Sequence, residues 1–225
     1  MKETRVVQIR EEILSENRAE AQSVRARLTE LGCYMVNVMA SPGAGKTSLI
    51  LATIERVRER RRIAVIEADL DSTVDADKIT AVGLPAVQLE TGGYCHVDAR
   101  MAAAALGELD LEATDLLFLE NVGNLICTAQ SATGAHLNVA ILSVPEGDDK
   151  PLKYPVMFRY ADAVILNKLD YRTVADFDLD AFSERVRTLN RRAPIFPVSC
   201  KTANGIDAWV AWLEERIDSE VPAAG

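Results

Sequence analysis

Seven short apolar runs recur along the chain, at residues 34–39, 63–66, 86–89, 116–119, 139–144, 163–166 and 195–198. Each has the length of a strand. Between them lie longer segments with stripes that repeat at helical spacing: Leu49, Ile50, Thr53, Ile54 and Val57; Phe182, Val186 and Leu189; and Ile206, Trp209, Val210, Trp212 and Leu213. Strands apolar on both faces, alternating with amphipathic helices, form a parallel sheet covered by helices on each side. The pattern predicts an α/β fold with a single doubly wound, mainly parallel sheet over residues 33–220. Residues 1–32 carry a charged helical stripe of Ile13, Leu14, Ala21, Val24, Leu28 and Leu31 that stops at Gly32. They read as a short N-terminal helical extension that either caps the sheet or serves a partner. Residues 221–225 read as a frayed tail.

With 225 residues and 48% hydrophobic content, the chain can bury one full core. A net charge of −9 repels a phosphate backbone, so no nucleic acid partner is expected. No apolar run approaches the roughly 18 residues of a membrane span, and the charged start Met1-Lys2-Glu3-Thr4-Arg5 leads into no apolar signal core. These features predict a cytoplasmic protein without membrane contact. The basic cluster at 56–62 reads as a solvated helix end. Cys33, Cys95, Cys127 and Cys200 are widely spaced, which favours metal binding or burial over disulfides.

Chemistry enters at Ala40-Ser41-Pro42-Gly43-Ala44-Gly45-Lys46-Thr47, which joins the first strand to the helical stripe after it. This is the setting of a phosphate-binding loop, and it makes the fold a P-loop NTPase domain. Gly43 and Gly45 let backbone N–H groups turn inward, with Ala44 and Ser48 completing the cradle; Lys46 supplies charge at the β- and γ-phosphates, and the Thr47 hydroxyl suits Mg²⁺. The usual first glycine is replaced by Ala40, so the turn there must accept a Cβ. Asn167-Lys168-Leu169-Asp170 follows the sixth strand and reads guanine: Asp170 accepts from N1–H and the 2-amino group, which adenine lacks, and the Lys168 stem packs over the purine. Ser199-Cys200-Lys201 matches the loop that brings a backbone N–H to guanine O6, with Cys200 as a small buried residue.

Mg²⁺ needs carboxylates at strand ends near Thr47. Glu120 and Asp69 are the first candidates, and Asp71, Asp75 and Asp77 crowd the same stretch as Asp69. Lys46, Asp69 and Glu120 are the expected catalytic groups, and Gly123 is placed to offer an N–H to the γ-phosphate. Asn124 stands where fast GTPases carry a water-orienting glutamine, and no arginine finger is identifiable, so slow intrinsic hydrolysis is expected.

Cys95, His96 and Cys127 lie on loops beside the nucleotide residues. One reading makes the cysteines small core residues and His96 a helix-start donor near Asp98. The other makes all three ligands of Zn²⁺, Ni²⁺ or copper with one coordination position open. On that second reading, a γ-phosphate pulling on residues 120–123 would also move Cys127, linking metal affinity to nucleotide state.

These motifs, together with Cys95-His96-Val97-Asp98-Ala99, Glu120-Asn121-Val122-Gly123-Asn124-Leu125-Ile126-Cys127 and Pro145-Glu146-Gly147-Asp148-Asp149-Lys150-Pro151-Leu152-Lys153-Tyr154-Pro155, resemble the HypB family. These are hydrogenase nickel-incorporation GTPases of the nucleotide-dependent dimerising (SIMIBI) class. The resemblance implies GTP/GDP and Mg²⁺ as cofactors, Ni²⁺ or Zn²⁺ at Cys95, His96 and Cys127, and a GTP-dependent homodimer. It also implies nickel delivery to a [NiFe]-hydrogenase large-subunit precursor with a nickel accessory protein. Thr128 departs from the proline that usually follows the family's cysteine. With only His96 and His136, storage of many nickel ions is not expected, and His136 reads as a loop or core histidine. Lys150 and Lys153 read either as a reach towards a partner protomer's nucleotide or as part of a solvated loop. Two alternatives remain: a chaperone for another nickel enzyme such as urease, and a non-enzymatic metal-binding module with a degenerate loop at Ala40.

Overall fold

The computed structural model describes residues 9–69 and 83–221, without the side chains of 9–14 and 69. The side chains of Ile13, Leu14 and Asp69, the whole of Asp71, Asp75 and Asp77, and residues 222–225 lie outside the described residues. Strands β1 (Tyr34–Ala40), β2 (Ile63–Asp69), β3 (Ala86–Glu90), β4 (Leu116–Glu120), β5 (Leu137–Ser143), β6 (Ala163–Asn167) and β7 (Ile195–Pro197) form one sheet in the order β3-β2-β4-β1-β5-β6-β7. Every neighbouring pair is parallel. The expected doubly wound α/β fold is the one observed.

The central strand shows why. All seven residues of β1 are buried. Tyr34, Val36, Val38 and Ala40 face a core shared with α2 (Lys46–Val57) and with α8 (Ile206–Glu220). On the other face, Met35 joins a cluster with α1 (Ile9–Glu30) and α3 (Ala99–Leu106), whereas Met39 joins one with α6 (Pro155–Tyr160) and α7 (Leu179–Leu189). Two shorter helices, α4 (Cys127–Gln130) and α5 (Lys150–Lys153), follow β4 and β5. A strand flanked on both faces must be apolar throughout, and in a parallel sheet all carboxyl ends lie along one edge, where ligands bind.

The basic cluster at 56–62 is not simply solvated, which corrects the sequence reading. Arg56 pairs with Asp207 (2.6 Å), Arg60 with Glu214 (2.9 Å) and Arg61 with Asp218, tying α2 and the turn after it to α8, while Arg62 holds Asp115 (2.6 Å). Each pair has one exposed member, and such pairs contribute about 0–1 kcal/mol each. Val221, expected in the tail, is buried against α8.

Helix α1 lies against the sheet through Ala21, Val24 and Leu28. It approaches so closely that a Cβ on Gly134 would sit 2.5 Å from Val24 Cγ1. His136 locks this contact. Its Nδ1 accepts from Met35 N–H (3.0 Å), so the neutral ring carries its proton on Nε2, which donates to Thr29 Oγ1 on α1 (2.9 Å); Thr29 in turn donates to Arg25 O (2.8 Å). The ring stacks on Tyr34 at 4.8 Å. Burial, with Arg25 nearby, pushes the His136 pKa down to about 4.

The unfolded chain takes up a proton at this residue near pH 6.5, whereas the folded chain resists it down to about 4. Stability from His136 is therefore complete above pH 6.5 and lost as pH falls towards 4, by roughly 3 kcal/mol in all. Urea unfolding between pH 7 and pH 4 should show this loss in the native protein, and a smaller one in His136→Gln. Parallel pH profiles for the two would contradict it.

Candidate functional site

Three loops at the carboxyl edge of the sheet converge. The first leaves β1, turns through Gly43 (φ 76°) and ends at Gly45 (φ 101°), which caps α2 from the left-handed region. Glycine is needed at position 45 twice over, because a Cβ there would also lie 2.3 Å from Asn167 Nδ2. Ala40 is the last residue of β1, fully buried and paired in register with Ile141. Among described non-glycine residues only Lys168 and Ala203 have positive φ, so position 40 is ordinary strand and accepts its Cβ without strain.

The second loop follows β6 and is bonded directly to the first. Asn167 Nδ2 donates to Ala44 O (3.0 Å), and Lys168, held at φ 59°, donates through Nζ to Gly43 O (2.7 Å). Asn167 Oδ1 also accepts from Lys168 N–H (2.7 Å) and Cys200 N–H (3.2 Å), which draws in the loop after β7. Ser199 donates to Asp170 Oδ1 (2.7 Å). Gly45, Ser48, Lys168, Asp170, Cys200 and Lys201 line a cavity of about 260 Å³. Burial pushes the Cys200 thiol up to about 11, leaving it protonated and in character a small apolar group.

The third loop follows β4. Glu120 is buried at the strand's end, where its Oε1 accepts from the Thr47 hydroxyl (2.8 Å) and lies 3.8 Å from Lys46 Nζ. A hydroxyl and a carboxylate at this separation form a hard oxygen pair suited to Mg²⁺ beside phosphates. The backbone of Asp69 ends β2, next but one to the register partner of Glu120, which is Glu67. Glu67 is buried as well, and the sequence reading passed over it; its signal was a charged residue inside an otherwise apolar run. Three residues beyond Glu120, Gly123 packs on the phosphate loop so tightly that a Cβ would lie 2.9 Å from Pro42 Cγ.

That same loop leads to Cys127. Asn124 Oδ1 accepts from Ile126 N–H (2.7 Å) and Cys127 N–H (2.8 Å), and the Thr128 hydroxyl donates to Asn124 O. Thr128, buried, fixes the start of α4 by this bond where a proline would do so by its ring. Cys95 and His96 emerge from a turn held by Thr91, whose hydroxyl donates to Tyr94 O (2.8 Å). Asp98 does cap α3, accepting from Met101 N–H (2.8 Å), but His96 faces the cysteines: ligand atoms of Cys95, His96 and Cys127 all lie within 4.8 Å of one another. The neighbouring Cys95 thiol and partial burial raise the Cys127 pKa, so a metal binding here would displace a thiol proton.

Two asparagines missed in the sequence reading brace this centre. Asn17 on α1 accepts from Ala99 N–H (2.9 Å) and donates to Ala132 O (3.0 Å), spanning the segments that follow His96 and Cys127. Asn121 accepts from Val97 N–H (3.0 Å). Neither partner is near in sequence, so no local pattern marks these residues. Lys150 lies over the Tyr154 ring and Lys153 pairs with Asp149, both within their own segment.

Residues 34–197 match the family model described as the CobW/HypB/UreG nucleotide-binding domain. The chain is 45% identical to the hydrogenase maturation factor HypB of Azotobacter vinelandii, over 96% of its own length and 71% of that protein's. It is 42% identical to the hydrogenase/urease maturation factor HypB of Helicobacter hepaticus, over 93% and 88%. It superposes on the crystal structure of HypB from Helicobacter pylori in complex with nickel with a TM-score of 0.86 at 37% identity, covering 93% of this chain and 99% of that one.

Two substitutions separate a working phosphate loop from a degenerate one. Ala40→Gly should leave nucleotide affinity unchanged and cost about 1 kcal/mol of stability, because it only loosens a strand. Gly45→Ala should displace Asn167 from Ala44 O and weaken nucleotide binding by roughly tenfold or more. Titration with a fluorescent GTP derivative checks both; tighter binding by Ala40→Gly would mean that the native turn is impaired.

Proposed function

The chain belongs to the HypB family, within the CobW/HypB/UreG nucleotide-binding proteins, and on that premise we propose that it is a GTP-hydrolysing metallochaperone. It binds nickel, or zinc, at Cys95, His96 and Cys127 and assists nickel insertion into a [NiFe]-hydrogenase large-subunit precursor together with a nickel accessory protein. The observation that carries this reading is the meeting of those three ligands, with Cys127 on the loop after β4 that also touches Thr47 and Pro42. A purely structural role for the cysteines would not require them to converge on a histidine.

Guanine is read by Asn167, Lys168 and Asp170 with the loop of Ser199, Cys200 and Lys201. Gly43, Ala44, Gly45, Lys46, Thr47, Ser48 and Gly123 hold the phosphates, and Thr47 with Glu120 and Asp69 holds Mg²⁺. Hydrolysis is slow, because Asn124 stands in place of a water-orienting glutamine and its Oδ1 is taken by the N–H groups of Ile126 and Cys127. The protein works as a GTP-dependent homodimer in the cytoplasm. Tyr94 and Ile126, apolar yet 62% and 51% exposed, flank the metal ligands and suit burial between protomers. None of the described helices is long and apolar enough to cross a membrane. The name of the Helicobacter hepaticus relative keeps urease as a second client.

Phosphate release from GTP should stay below about 1 s⁻¹, with GTP preferred over ATP by roughly 10⁴ or more. A ligand lost from a metal site costs at least what a lost outer-shell partner does, so Cys127→Ala should lower Ni²⁺ affinity by roughly 10- to 100-fold. Calorimetric Ni²⁺ titration of both proteins is the test; unchanged affinity in Cys127→Ala would remove the metal assignment.

A further inference from the structure

Between the two apolar clusters on one face of the sheet runs a polar seam. Asn121 donates through Nδ2 to Asn37 Oδ1 (3.0 Å), and Asn37 donates to Asn138 Oδ1 (3.0 Å). The three residues stand on or just past β4, β1 and β5, and Asn37 and Asn121 are buried at 1% and 0% exposure. Buried amides are tolerated only where their groups are bonded, and both the oxygen and the nitrogen of the Asn121 amide are. Its Oδ1 accepts from both Val122 N–H (2.9 Å) and Val97 N–H (3.0 Å).

The location gives that last bond its meaning. One residue before Asn121, Glu120 holds Thr47; two residues after it, Gly123 abuts Pro42. The segment 120–123 is thus pinned to the phosphate loop at both ends. Val97 directly follows His96 and is itself fully buried, so a displacement at its N–H is passed to the two ligands before it. Cys127 follows this segment in the chain. Cys95 and His96 do not, and the bond from Val97 to Asn121 ties them to that segment.

We propose that Asn121 is the positioning residue through which the Cys95–His96 half of the metal site follows the nucleotide. Glu120 and Gly123 sense phosphate and Mg²⁺, the Asn121 amide moves with them, and the geometry of His96 and Cys95 against Cys127 changes in step. The inference rests on the metallochaperone reading and adds to it the route by which nucleotide reaches the ligands on the other loop.

The test is Ni²⁺ titration of the full chain with Mg²⁺·GDP and with Mg²⁺ and a non-hydrolysable GTP analogue, read by affinity and by the near-ultraviolet nickel–thiolate absorption. The native protein should show a ratio of affinities within about 5 to 150 and an absorption band that shifts between the two nucleotides. Asn121→Ser is too short to reach Val97 N–H. It should still bind Ni²⁺, with the ratio collapsed to within about twofold of one and the band insensitive to nucleotide. Asn37→Ser breaks the seam but keeps the Val97 bond, so its ratio should stay native. If Asn121→Ser does not fold, Asn121→Asp, which retains an acceptor oxygen for Val97 N–H, should preserve the ratio, and loss of the ratio there overturns the proposal. A native ratio in Asn121→Ser, or an equal collapse in Asn37→Ser, overturns the role of Asn121 alone. A ratio of one in the native protein overturns nucleotide coupling, and this inference with it.

Discussion

The contact from the Thr47 hydroxyl to the buried Glu120 carboxylate is where phosphate chemistry meets the sheet. It joins the first residues of α2 to the end of β4, and the two strands involved, β1 and β4, are neighbours in register with Val38 beside Glu120. A carboxylate buried at 2% exposure is costly unless charge and hydrogen bonds compensate it, and Lys46 and Thr47 do so here. The same oxygens are the natural ligands of a hard cation. On the proposed reading, Mg²⁺ entering with a triphosphate would rearrange this contact, and the segment attached to Glu120 would respond.

Much is attached to it. From Glu120 the chain runs in seven residues to Cys127, touching Pro42 at Gly123 and capping α4 through Asn124 on the way. On the far side of the phosphate loop, Asn167 and Lys168 bond the carbonyls of Ala44 and Gly43, so the proposed base and phosphate subsites share one backbone. The parallel sheet supplies the rigid floor: its strands are apolar because both faces are covered, and their carboxyl ends must open on the same edge. A metal centre placed on that edge shares a loop with the proposed nucleotide site.

What could be read from the chain beforehand followed from how local each signal is. The phosphate loop and Asn167 to Asp170 are contiguous motifs fixed to strand ends, and both sit where their flanking patterns put them. Cys95, His96 and Cys127 were recognisable as residue types, but their convergence depends on β3 and β4 ending at the same edge with β2 between them. Ala40 looked like a defect because the motif begins there; the strand simply extends through it. The basic cluster at 56–62 was misread because its acidic partners are distant in sequence, those of Arg56 and Arg60 about 150 residues away on α8 and that of Arg62 at Asp115. Asn17, Asn37 and Asn121 escaped notice for a related reason. A polar residue in an apolar strand reads as an interruption until the structure shows another amide opposite it, and a helix-surface asparagine reads as solvated until it is seen to cap two loops.

Linkage requires that if nucleotide alters metal binding, metal alters nucleotide binding by the same factor. The affinity of the protein for a non-hydrolysable GTP analogue with Mg²⁺, relative to its affinity for GDP, should therefore change by about 5- to 150-fold when Ni²⁺ is saturating. Identical nucleotide preference with and without Ni²⁺ would contradict the account, because the loop from Glu120 to Cys127 would then carry no free energy between the two sites.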